Sequence, residues 1–126
     1  MADNPTPTTR HPAPETVICL YRVRRGCEAE FARLLARHWP ALRALALVTD
    51  DPPQHFRGAE QEGEPLFVEI FTWTSGAAAR TAHEHPEVMS IWEPMDKLTE
   101  RRGGKPNMEF PHVQRIDVLG QAQRTA

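Results

Sequence analysis

Two segments of this chain, Thr16 to Val23 (TVICLYRV) and Leu66 to Trp73 (LFVEIFTW), carry large apolar side chains on both of the faces a strand presents. Successive strand residues point to opposite sides. Val17, Cys19, Tyr21 and Val23 therefore share one face while Ile18 and Leu20 take the other. In the second segment Phe67, Glu69, Phe71 and Trp73 oppose Val68 and Ile70. Strands of this kind persist in water only inside a sheet covered on both sides, and few architectures provide that.

The segments between them set the element order. From Cys27 the apolar period becomes helical, with Phe31, Leu34, Leu35, His38 and Leu42 on one stripe, and Pro40 is expected to interrupt this helix or start a new turn. The breaker run Asp50-Asp51-Pro52-Pro53 precedes a short second strand, Gln54 to Arg57, and a turn from Glu60 to Pro65 leads into the third, Leu66 to Trp73. Ser75 is a fair N-cap for an alanine-rich helix that Pro86 breaks or restarts. Val88, Ile91, Trp92, Met95 and Leu98 then form a second apolar stripe. After a turn at Arg102 to Pro106, a last strand is expected from about Met108 to Val118, with Pro111 arguing for an edge position or a bulge.

Strand, helix, strand, strand, helix, strand is the α+β, ferredoxin-like βαββαβ order: a four-stranded antiparallel sheet with two helices on one face. Two helices leave the other face bare. A second copy packed through a two-fold axis would cover it, so a homodimer is expected.

The length of 126 residues suits one domain, read as residues 16–118 between a disordered arm over 1–15 and a tail over 119–126. The formal net charge is -2 and no Lys or Arg cluster exceeds a pair, which argues against a nucleic-acid partner. No apolar run approaches the roughly 20 residues that span a bilayer, and the start MADNPTPTTRHPAPE is polar, so a cytoplasmic protein with no membrane partner is expected. Cys19 and Cys27 are too few for a disulfide framework or a thiolate zinc site.

The run Phe67 to Met95 places aromatics and imidazoles near one concave face, where apolar walls desolvate a ligand and a few polar groups orient it. Glu69 is the unusual member, because an ionised carboxylate among Phe67, Phe71 and Trp73 is costly without a partner. It either meets a buried partner such as an arginine or works as a base. Trp73 and Trp92 are ligand walls or core and dimer contacts, and His83 is a base or a surface partner of Glu87. His85, before Pro86, contacts ligand or caps freed carbonyls. His55, His83, His85, His112 and Glu69 are suitable metal-ligand types, but His83 and His85 diverge on a helix and no HExxH occurs, so no metal site is expected.

The EIFTW and AHEHPEV motifs within this element order resemble the antibiotic biosynthesis monooxygenase-like group of the dimeric α+β barrel superfamily, over nearly all of Thr16 to Ile116. The resemblance implies a dimer with a pocket between sheet and helices in each subunit. Some members oxygenate polycyclic aromatics without metal or flavin, and a related branch degrades heme using an Asn, a Trp and a His. Trp73 and His83 match the last two; the first strand has Tyr21 and Arg22 where the Asn would be, which argues against heme degradation. No glycine-rich dinucleotide fingerprint is present, and no bound cofactor is expected. The resulting expectation is an oxygenase-like enzyme for an apolar, aromatic metabolite. His83, Glu69 and Tyr21 would carry catalysis, while Trp73, His85, Trp92, Phe71 and Trp39 would contact ligand. A non-catalytic ligand-binding dimer and a purely structural dimer are its rivals.

Overall fold

The computed structural model describes residues 13–120. Most of the arm expected over 1–15 and of the tail expected over 119–126 lies outside the described residues. The element order is β1 (Glu15–Arg22), α1 (Glu28–Ala44), β2 (Gln54–Ala59), β3 (Pro65–Trp73), α2 (Gly76–Ala82), α3 (Pro86–Lys97), β4 (Met108–Glu109) and β5 (His112–Val113). The strands form one antiparallel sheet in the order β2-β3-β1-β4, with β5 also paired to β1. This is the α+β, ferredoxin-like architecture, with its second helix split in two.

The split has a local cause. Pro86 sits at the start of α3, where its missing N–H costs nothing, and His83 to His85 form the turn before it. Pro40, by contrast, does not interrupt α1, which runs unbroken to Ala44. Both Pro40 and Ala36, the residue whose carbonyl loses its donor, are exposed, so water can take the freed acceptor.

The last strand is shorter than the sequence pattern suggests. Instead of one strand from Met108 to Val118 there are two pairs of residues on β1, separated at Phe110-Pro111. Pro111 has no N–H to give to the ladder, although its carbonyl accepts from the Ile18 amide at 3.0 Å. Register is continuous across the gap, Tyr21 facing Met108 and Val17 facing His112, so this is one interrupted edge strand.

The two faces of the sheet differ. Val17, Cys19 and Tyr21 of β1, Val23 just after it, and Phe67, Phe71 and Trp73 of β3 are buried under Phe31, Leu34, Leu35 and Leu42 of α1 and Val88, Ile91 and Met95 of α3. Each such side chain contributes about 1.5–3 kcal/mol by leaving water. The opposite face carries Ile18 and Leu20 beside Ile70 and Val68, with Phe56 of β2 opposite Val68 and 52% exposed. Arg22 closes one end of that face, buried by ion pairs with Glu60 at 3.2 Å and Glu109 at 2.8 Å. No helix among the described residues is long and apolar enough to cross a membrane.

Candidate functional site

Strand alternation turns Glu69 toward the helices, where it is fully buried. The side chains around it come from three other elements. Tyr21 of β1 donates its hydroxyl to Glu69 Oε1 at 2.9 Å. His38, on the buried stripe of α1, meets the same oxygen through Nδ1 at 2.8 Å. His55 of β2, directly across the ladder from Glu69, approaches Oε2 through Nε2 at 2.9 Å. On the far side of the His38 ring, Trp92 of α3 donates its indole N–H to Nε2 at 2.8 Å.

These bonds fix the proton on His38. An indole can only donate, so Nε2 is its acceptor, and the ring proton sits on Nδ1, where Glu69 receives it. The carboxylate thereby orients an imidazole, the pairing that general-base sites use to hold the reactive nitrogen in one tautomer.

The ionisation of the cluster follows from its packing. Burial pushes the Glu69 carboxyl upward, but the hydrogen bonds from His38, His55 and Tyr21 outweigh it and bring the group down to about 2. Burial pushes the Tyr21 hydroxyl well above the ordinary tyrosine range, and the negative neighbours add to this, so the phenol keeps its proton and remains a donor. Burial likewise raises the Cys19 thiol, leaving it inert as a nucleophile. His55 is shifted upward, first by its bond to Glu69 and also by that group's charge, against a smaller opposing effect of burial.

Tyr21 and His38 form part of the wall of a cavity of about 720 Å³ between the sheet, α3 and the interrupted edge strand. Val17, Cys19, Phe71, Trp73, Met95 and Met108 make it predominantly apolar. Glu93, Asp96, Lys97 and His112 bring polar groups to the same cavity. The size lies within the range of small-molecule sites. Among the described residues no three His, Cys, Asp or Glu side chains are grouped to hold a metal ion.

The expected site residues separate into those the structure assembles and those it does not. Tyr21, Phe71, Trp73 and Trp92 all line the cavity, and Glu69 lies behind its wall, held by two histidines and a tyrosine rather than an arginine. His83 is exposed at the cavity edge, its ring 4.8 Å from that of Trp92 and its Nδ1 on the Ala79 carbonyl at 3.1 Å rather than on Glu87. His85 is the N-cap residue of α3, makes no side-chain capping bond and does not line the cavity. Trp39 packs against the core one residue beyond His38, away from the cavity lining, with its indole N–H unpartnered. His38 was the residue missing from the expected set. Its signal was a polar side chain on an otherwise apolar stripe, a position that demands a buried partner.

No known family model matches the chain, and no curated protein sequence does. Solved structures do match, by fold. SnoaB, a cofactor-independent oxygenase from Streptomyces nogalater, superposes with a TM-score of 0.61 at 20% identity, over 85% of this chain and 97% of that one. A dimeric ferredoxin-like protein of unknown function from Jannaschia sp. CCS1 gives 0.58 at 14% identity, covering 82% and 100%. An antibiotic biosynthesis monooxygenase-like protein from Caulobacter crescentus CB15 gives 0.58 at 9% identity, covering 85% and 93%. The chain shares the ferredoxin-like fold of these proteins, and likeness at these identities concerns the fold.

Proposed function

We propose that the chain is a small oxygenase-like enzyme that takes an apolar, fused-ring aromatic substrate into the 720 Å³ cavity and uses His38, oriented by Glu69, as its base. The observation that carries this reading is the 2.8 Å contact between Glu69 Oε1 and His38 Nδ1 at the wall of an apolar cavity. A carboxylate in that position stabilises the imidazolium formed when Nε2 accepts a proton. Tyr21, whose hydroxyl is fixed as a donor to Glu69, holds the same oxygen in place.

The chemistry that suits such a site begins with an acidic methylene flanked by aromatic rings. Nε2 of His38 removes one C–H proton after the substrate displaces the Trp92 indole. The carbanion gives its electrons to dioxygen and forms a carbon-bound peroxide anion, which takes the proton back from His38 and, as the hydroperoxide, eliminates water to leave a carbonyl. One dioxygen is consumed, one oxygen atom enters the product and the other leaves as water. The easily oxidised substrate supplies the electrons, and the protein supplies desolvation and the base. The oxygenase named SnoaB, with the same fold, supports this class of reaction. The working unit is a homodimer in which a second copy covers the apolar face around Ile18, Leu20, Val68 and Ile70, a reading supported by the dimeric neighbour from Jannaschia.

A tricyclic anthrone is a direct probe. Wild-type protein is expected to bind it and to consume one dioxygen per anthrone above the buffer rate, and His38→Gln to bind it without doing so. A protein that binds anthrone but never exceeds the buffer rate is a ligand-binding dimer without turnover. That second reading is favoured by one observation, that Nε2 of His38 is already occupied by the Trp92 N–H.

A further inference from the structure

Glu69 has two oxygens, and only one of them serves the cavity. Oε1 receives Tyr21 and His38, both in the wall of the large cavity, whereas Oε2 receives His55. The His55 side chain is 41% exposed and lines a separate, smaller pocket of about 330 Å³ between α1 and β2. The buried carboxylate therefore bridges two compartments: a ligand cavity on one side and a water-accessible imidazole on the other.

We propose that His55 is a positioning residue for the cavity's base: it fixes the second oxygen of Glu69, and by gaining or losing its own proton in the outer pocket it sets how much negative charge Glu69 presents to His38. The inference deepens the proposed reading of the cavity and takes its catalytic meaning from it. The geometry leaves few other groups able to play this part. His55 stands directly across the β2–β3 ladder from Glu69, so the contact is set by backbone register and not by a flexible reach. Among the described residues, α1 contributes only Ala32, Leu35 and Ala36 to the outer pocket, and none of these carries charge. Arg57, on the same strand as His55, lies over the Phe67 ring at 5.5 Å and pairs with Glu28 at 3.7 Å. Among the described residues Glu69 is thus the one charged group hydrogen-bonded to His55, and the upward shift of His55 is the reciprocal of that contact.

When His55 is protonated, its charge and that of Glu69 compensate each other, and an imidazolium on His38 gains less from the carboxylate. When His55 is neutral with its proton on Nε2, the hydrogen bond remains and the full carboxylate charge faces His38. Removing the imidazole altogether frees Oε2 and loosens the carboxylate that orients His38.

Long-range nitrogen–proton correlation spectra of the imidazoles test this on the full chain without any ligand, so a failure of anthrone binding and a failure of this inference are separate results. The His38 signals are identified by their loss in His38→Gln. In wild type they should show Nδ1–H with unprotonated Nε2, and they should shift with pH at the inflection of His55 itself. In His55→Gln, which keeps a side-chain donor that cannot charge, the tautomer should persist and that inflection should vanish. In His55→Ala the two His38 nitrogens should move toward averaged shifts as the carboxylate loses its anchor. His38 signals that ignore the His55 inflection in wild type, or that are the same in wild type and both variants while near-ultraviolet dichroism reports a native fold, would overturn the proposal.

Discussion

Glu69→Gln isolates the charge at the centre of the cluster while nearly preserving its shape. The amide oxygen can take the place of Oε1 and still accept from Tyr21 and His38. The amide NH₂ then faces His55, which can answer by moving its proton to Nδ1, where water reaches it because the side chain is 41% exposed. Every bond can be remade, and what is lost is the charge assistance on three of them. A hydrogen bond to a charged partner contributes about 1.5–3 kcal/mol against about 1 for a neutral one, so over three bonds the loss is roughly 1.5–6 kcal/mol. The depressed ionisation of Glu69 gives a second figure of the same order. Glu69 is held at about 2 from an ordinary 4.5, which corresponds to on the order of 3 kcal/mol. The sign follows from the depressed value: the stabilisation is fully present above about 4.5 and is lost as pH falls toward 2. Urea unfolding of both proteins at fixed chain concentration should therefore show a gap of about 3 kcal/mol at pH 6, with roughly 2 kcal/mol of it gone by pH 3. His55 adds a smaller effect of the opposite kind, because its value is raised: its contribution is complete below about 6.5 and fades as pH rises through the shifted value. The gap should thus be widest between these two limits. Equal stabilities at pH 6, or a gap that stays constant down to pH 3 with both proteins native, would refute the account of Glu69 as an anion held by three donors.

Other changes probe separate parts of the argument. Tyr21→Phe removes one donor to Glu69 from a fully buried position; it should cost about 1–3 kcal/mol and move the acid-unfolding midpoint to higher pH, both measurable by dichroism. Trp92→Phe keeps the ring but frees Nε2 of His38, and should lower stability by about 1 kcal/mol while raising oxygen uptake or affinity with anthrone, since the ligand no longer displaces the indole. Ile70→Asp on the open face should convert a sedimenting dimer to monomer or unfold it; an unchanged mass and melting temperature would show that this face is not an interface. Pro40→Ala should raise stability by about 1 kcal/mol or more in thermal melts, because it restores an α1 hydrogen bond at an exposed position.

The layer architecture was legible in the residue pattern alone. Period-two alternation in Thr16 to Val23 and Leu66 to Trp73 reports which side each residue faces, and that rule alone placed Glu69 and Tyr21 inward. The helical stripe containing His38 was equally readable, down to its buried members. Backbone hydrogen bonding was less so. Pro40 was tolerated because its lost partner faces water, and the edge strand ended at Val113, since an edge strand has pairing on one side only and Pro111 weakens it. What Glu69 meets was not legible there and depends on how the elements pack. Its partners lie 48, 31 and 14 residues away in sequence, on three different elements. Periodicity specifies a face within one element but not which residues of different elements arrive at the same depth, because that depends on strand register and on how α1 and α3 cross the sheet. An isolated inward Glu and an isolated inward His each signal an unmet partner. That they satisfy each other, with His55 and Trp92 completing the row, is set by packing.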